Sequence, residues 1–107
     1  MSFVEVLAES ELWIGEMRPV VVRGRRVLLL RTERGVHAYE DRCPHLGYPL
    51  SRGRLDGSTL TCSAHEFRFD ADTGGGENPK SLQLTGIEVE CRQGKILVDV
   101  GPAAAER

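Results

Sequence analysis

An all-β fold, with residues 1–107 forming a single domain, is predicted by three features of the chain. Apolar residues fall in short or alternating runs, X-Gly dipeptides separate those runs, and helical periodicity is nearly absent. The runs, in order, are Phe3–Leu7, Arg18–Val22, Arg26–Thr32, Val36–Asp41, Thr59–Cys62, Glu66–Phe69, Gly86–Cys91 and Lys95–Val100. Val4-Glu5-Val6 and Ile87-Glu88-Val89-Glu90-Cys91 alternate strictly, whereas Val20–Val22 and Val27–Leu30 are short apolar blocks of strand length. Arg23-Gly24, Arg34-Gly35, Asp56-Gly57 and Gln93-Gly94 supply the turns. Glu9–Leu12 is long enough for at most about one helical turn, and the Ala103–Arg107 tail is expected to fray.

A chain of 107 residues can bury about two-thirds of its unfolded surface in one core. Its formal net charge of −2 provides no basic field for nucleic acid or anionic lipid. The N-terminus lacks a basic stretch followed by a long apolar one, and Val27–Leu30 is too short to cross a bilayer, so a cytoplasmic protein without membrane contact is expected. Three cysteines fit a reducing compartment. One of them, Cys91, shares the Ile87, Val89 face of its strand and reads as a small buried hydrophobe.

The chemistry lies in two half-motifs, Cys43-Pro44-His45 and Cys62-Ser63-Ala64-His65, separated by sixteen residues. Each offers one soft anionic sulfur and one neutral nitrogen. Together they read C-x-H…C-x-x-H, the ligand set of a Rieske-type 2Fe-2S centre, in which two thiolates hold one iron and two imidazoles the other. Two ferric ions, two sulfides and two thiolates sum to zero charge, whereas a four-cysteine cluster in the same state carries two negative charges. An added electron therefore meets less repulsion and the potential rises. The imidazole nitrogens away from iron keep a proton, so reduction raises their pKa and couples potential to pH. A structural zinc module is the competing reading of the same four residues, although zinc sites usually use Cys-x-x-Cys and His-x-x-x-His spacings in smaller domains.

The half-motifs occupy loops flanking the Thr59–Cys62 hairpin, so segments 43–54 and 62–66 can close on a cofactor from two sides. A third loop, Thr73–Pro79, is too glycine-rich for a strand; it is either a surface turn or a place where backbone approaches a cofactor. Its glycines lack the parallel strand and following helix of a phosphate cradle. His37, inside a strand, reads as a structural or surface histidine and not as a ligand. Once the four ligand positions are assigned only His37 remains, so the two-His, one-carboxylate iron site of a ring-hydroxylating oxygenase cannot be built.

With these residues the chain resembles the Rieske ferredoxins. Met1-Ser2-Phe3, Trp13-Ile14-Gly15-Glu16-Met17, the two ligand pairs and Thr73-Gly74-x-Gly76-x-Asn78-Pro79 are similar to the ferredoxin components of bacterial toluene monooxygenase systems. The resemblance implies an antiparallel β-sandwich with a cluster-binding subdomain, formed by the two ligand loops on a hairpin plus a proline loop ending near Pro79. It implies one 2Fe-2S cluster on Cys43, His45, Cys62 and His65, and an electron carrier that is not itself an enzyme and binds no small-molecule substrate. Its implied partners are an NADH-dependent flavin and iron-sulfur reductase and a di-iron hydroxylase; the ferredoxin of an aromatic-ring dioxygenase is the alternative. Respiratory Rieske proteins join their ligand loops by a disulfide and place hydroxyls near the cluster. Here Tyr48, Ala64, Phe67 and Phe69 stand at those positions, which implies a low potential. Glu66 and Phe67 also replace the Gly and Trp that follow the last ligand in many ferredoxins.

Overall fold

The structure, a computed structural model, describes residues 3–44, 47–63, 67–78 and 82–101. Ten strands run through them: β1 (Val4–Ala8), β2 (Met17–Val22), β3 (Arg25–Thr32), β4 (Gly35–Glu40), β5 (Arg54–Asp56), β6 (Thr59–Thr61), β7 (Arg68–Asp70), β8 (Gly76–Asn78), β9 (Gly86–Arg92) and β10 (Lys95–Asp99). Two 3-10 turns, Glu9–Glu11 and Leu50–Arg52, complete the list. Six strands form one antiparallel sheet in the order β1, β10, β9, β4, β3, β2, and four form a second in the order β5, β6, β7, β8.

The expected runs appear as strands with ends shifted by a residue or two. Glu66 of the Glu66–Phe69 run, the Met1-Ser2 pair and the Ala103–Arg107 tail lie outside the described residues. Strand β5 was not anticipated, because Arg54-Leu55-Asp56 is too short and polar to stand out from a loop; it exists because Leu55 pairs with Leu60. Strand β8 corrects the expectation for the glycine-rich loop. Gly76 pairs with Phe69 and Asn78 with Arg68, so the ladder supplies what side-chain propensity does not.

The apolar block in β3 is explained by burial on both faces. Leu28 and Leu30 join Tyr39, Leu50, Leu60, Phe69, Ala71 and Leu84 in a core between the two sheets. Val27 and Leu29 face the opposite way, meeting Leu12, Val22, Ala38, Ile96, Val98 and Val100. That second core draws residues from β1, β2, β3, β4, β9 and β10, so the six-stranded sheet must curl around it. In the β2–β3 and β9–β10 turns, Arg23 and Gln93 have φ near +54° and are followed by Gly24 and Gly94, also at positive φ. This primed-turn geometry matches strand twist.

Cys91 departs from its expected burial. It lies near the end of β9, where Arg92 to Lys95 are all exposed, and it is exposed itself. Partial desolvation, followed by the nearby Glu9 carboxylate, pushes its thiol pKa up.

The first ligand loop is pressed onto β6 at Gly53. A Cβ there would lie 1.8 Å from the Thr61 carbonyl oxygen and 3.3 Å from Cys62 Cα, so no larger residue fits without moving backbone. Gly53→Ala is expected to cost about 3 kcal/mol, the upper range for overpacking, read as a lowered thermal midpoint; an unchanged midpoint would show that the loop is not held here.

Candidate metal centre

Cys43 follows β4 after a two-residue exit, Asp41-Arg42, and the loop then folds back on it. The Cys43 N–H donates to the Tyr48 carbonyl (2.7 Å), and the Gly47 N–H donates to the Cys43 carbonyl (2.7 Å). Asp41, only 6% exposed, ties the loop's two ends together. Ser51 donates its backbone N–H to Asp41 Oδ1 and its hydroxyl to Oδ2, each at 2.8 Å. Cys62 leaves β6 in the same way, its N–H donating to the Phe67 carbonyl (2.8 Å) just before β7.

Both cysteines are 0% exposed and belong to the core between the sheets, with Leu50, Leu60 and Phe69 around them. Neither is in a disulfide. Two thiolates in such apolar surroundings would be costly to bury without a compensating cation. Ferric ions provide that compensation, so the sulfur half of the donor set fits a 2Fe-2S cluster. His45 and His65, the other two expected ligands, lie outside the described residues, as do Ala64, Glu66 and Pro79.

The third loop is firmly anchored up to Asn78. Gly74 is buried, and a Cβ on it would come within 2.9 Å of the Tyr39 ring. The Leu84 N–H donates to the Gly74 carbonyl (2.8 Å) and the Gly76 N–H to the Leu82 carbonyl (2.9 Å). The close approach that requires glycine is therefore to a core tyrosine. The Tyr39 hydroxyl donates to the Ala71 carbonyl (2.8 Å), and burial, aided by Asp72 and Asp70, pushes its pKa up to about 12.

His37 ties the six-stranded sheet to the turn that follows β7. Its Nε2–H donates to Asp72 Oδ1 (2.9 Å), which also accepts from the Thr32 hydroxyl (2.6 Å), while Arg34 Nε stands 4.0 Å from Oδ2. The Thr32 bond first, then the His37 bond and charge, hold the Asp72 carboxyl below its ordinary pKa. Sequence reasoning missed both the Asp41–Ser51 and the Asp72–Thr32–His37 linkages, since an Asp and its hydroxyl partner ten or forty residues away leave no periodic signal.

The Rieske [2Fe-2S] domain model matches residues 2–88. The ferredoxin component of the alkene monooxygenase system of Xanthobacter autotrophicus is 35% identical over 99% of this chain and 88% of its own. The ferredoxin component of the naphthalene 1,2-dioxygenase system of Pseudomonas putida is 31% identical over 69% of this chain and 71% of its own. A chain in the solved complex of reduced oxygenase and oxidized ferredoxin in carbazole 1,9a-dioxygenase superposes with a TM-score of 0.82 at 32% identity, covering 90% of this chain and 91% of that one. The chain belongs to the Rieske [2Fe-2S] family and is a Rieske-type ferredoxin. Its cofactor is a 2Fe-2S cluster and not a structural zinc ion. Among the described residues no helix is long and apolar enough to cross a membrane.

Because the Asp72 pKa is depressed on folding, its contribution is fully present above the ordinary value of 3.8 and is lost as pH falls through the lower folded value. Asp72→Asn is expected to cost about 1–3 kcal/mol at pH 7 and to flatten the acid limb of a denaturation-versus-pH series. An acid limb as steep as in the wild type would refute that assignment.

Proposed function

We propose that the chain carries single electrons from an NADH-dependent flavin and iron-sulfur reductase to the di-iron hydroxylase of a toluene-type aromatic monooxygenase. Cys43 and Cys62 hold one iron and His45 and His65 the other, with residues 1–107 acting as one Rieske domain. The observation that carries this reading is the pair of fully buried cysteines, delivered to one apolar core by two loops on either side of a single hairpin. When bound, the cluster supplies a one-electron carrier. The protein's part is to hold it rigidly and keep water from its sulfur side: Leu50, Leu60 and Phe69 are fully buried there, and Phe67 packs against the same core. Similarity to an alkene monooxygenase ferredoxin over nearly the whole chain supports a monooxygenase system. The naphthalene and carbazole relatives favour the second reading, a ring-dioxygenase ferredoxin.

The surroundings favour a low potential. Of the two tyrosines, Tyr39 spends its hydroxyl on Ala71 and Tyr48 is 51% exposed, while Phe67 and Phe69 have no hydroxyl to give. Few donors to cluster sulfur leave the midpoint near about −150 mV and far from about +300 mV. A positive midpoint by protein-film voltammetry at neutral pH would contradict this.

His45→Ala or His65→Ala is expected to abolish the Rieske visible and EPR spectra, whereas His37→Ala preserves them; a normal spectrum from His65→Ala removes it as a ligand. Reconstituted toluene hydroxylation with NADH, reductase and hydroxylase should depend on the chain. Equal coupled turnover without it would defeat the carrier reading, and turnover only with a ring dioxygenase would select the second.

A further inference from the structure

We infer that a shelf beside the first ligand loop, made by Pro19, Val21, Arg26, Arg42, Tyr48 and Arg52, receives the terminal oxygenase component by recognising an acidic surface with an apolar centre. This inference rests on the carrier reading above and adds to it the site and chemistry of docking.

The shelf originates in strand register. On β3, Leu28 stands opposite Pro19 on β2 and Tyr39 on β4, and the face carrying Leu28 and Leu30 is covered by the smaller sheet. Two residues earlier the same face presents Arg26 opposite Val21, beyond that cover, and both are exposed. The ligand loop runs alongside, with the Asp41 N–H donating to the Arg26 carbonyl (3.1 Å). Between them lies a groove of ≈ 400 Å³, with Pro19, Val21 and Arg26 on one side and Pro49, Ser51 and Arg52 on the other. A second depression of ≈ 340 Å³ places Arg26 with Arg42 and Gly47. The shelf is thus continuous with the segment that carries Cys43.

Charge gives the chemistry of the occupant, and the complex of oxygenase and ferredoxin known for a relative favours the oxygenase component over the reductase. The chain is net negative, at −2, yet Arg26, Arg42 and Arg52 have no ion-pair partner among the described residues. Arg18, Arg25, Arg34 and Arg92 each face a carboxylate. The carboxylate nearest the shelf, Asp41, is buried with both oxygens accepting from Ser51, and Glu40 is taken by Arg25. The neutral Ser51 does not offset the Asp41 charge, but with Glu40 taken by Arg25 this one remaining carboxylate in the lining stands against Arg26, Arg42 and Arg52, so positive charge is in excess on this flank, a complement to carboxylates. Within it sits Val21, 71% exposed, and Tyr48, 51% exposed, lies in the chain between Gly47 and Pro49, which line the two depressions. Tyr and Arg are the residues that anchor interfaces when desolvated, and a small apolar centre rimmed by charge suits a short-lived electron-transfer contact. The other exposed apolar pair, Trp13 and Ile14, instead borders Glu11 and Glu16.

The test is stopped-flow oxidation of reduced holo-ferredoxin by the purified oxygenase component, with Arg26→Glu, Arg52→Glu, Val21→Ser and, as a charge-matched control on a remote hairpin, Lys95→Glu. Spectrum and midpoint should be unchanged in all four. Each arginine reversal should lower the second-order rate at low salt by about tenfold or more and flatten its salt dependence. Val21→Ser should weaken association with the salt slope retained, and Lys95→Glu should behave as wild type. Unchanged rates in both arginine variants would overturn the inference, as would an equal loss in Lys95→Glu, which would mark a net-charge effect. A loss confined to the reductase reaction would overturn the choice of partner. Failure of the wild-type protein to reduce any oxygenase component would instead sink the carrier reading and this inference with it.

Discussion

The rest of the structure depends on holding two cysteines at fixed places inside one apolar core. A thiolate there is unfavourable unless a cation offsets its charge, so the proposed cluster needs the loops to bring Cys43 and Cys62, both fully buried, into one core. Backbone hydrogen bonds to Tyr48 and Phe67 keep each loop closed on its own cysteine. The contact between Gly53 and Thr61 then fixes one loop against the other. A three-residue strand such as β6 can carry this task because Leu60 and Phe69 form a buried cross-strand pair behind it.

The two cores divide the work. The core inside the curled six-stranded sheet makes a platform from aliphatic packing alone, while the core between the sheets combines that packing with the two cysteines and Tyr39. β3 is shared by both, which makes its Val27–Leu30 block the mechanical link from platform to metal centre. Polar groups that tie the six-stranded sheet to the turn after β7 are each satisfied: Tyr39 on Ala71, and Thr32 with His37 on Asp72. Their hydrogen bonds brace the start of the third loop and commit the Tyr39 and Thr32 hydroxyls away from the cysteines.

At the surface, electrostatics separates bracing from recognition. Arg25 joins Glu40 and also donates to the Val100 carbonyl, tying the β3–β4 region to the C-terminal strand. Arg31 donates to the Glu9 and Leu12 carbonyls and so closes the turn after β1. These arginines are committed to intramolecular acceptors. Arg26, Arg42 and Arg52, beside the first ligand loop, have no ion-pair partner among the described residues.

The all-β class, the X-Gly hairpins and the two ligand half-motifs were legible in the sequence because each depends on neighbours: strand alternation, turn chemistry and the spacing of Cys and His are local properties. His37 read correctly as a strand residue, but its partner Asp72 did not, since nothing in residues 32, 37 and 72 announces that β3, β4 and the end of β7 meet. Strands β5 and β8 were invisible for the same reason; Arg54–Asp56 and Gly76–Asn78 have no strand propensity and are strands because β6 and β7 offer them backbone partners. Cys91 shows the converse error. Alternation assigned it the inward face of β9, but whether that face is covered at the strand's end is decided by where other elements stop. Local chemistry in the sequence determined the fold class, the family motif and which runs become strands. Only tertiary packing decided which faces are buried, which loops are clamped and which arginines find a carboxylate, because burial and pairing are properties of residues distant in the chain.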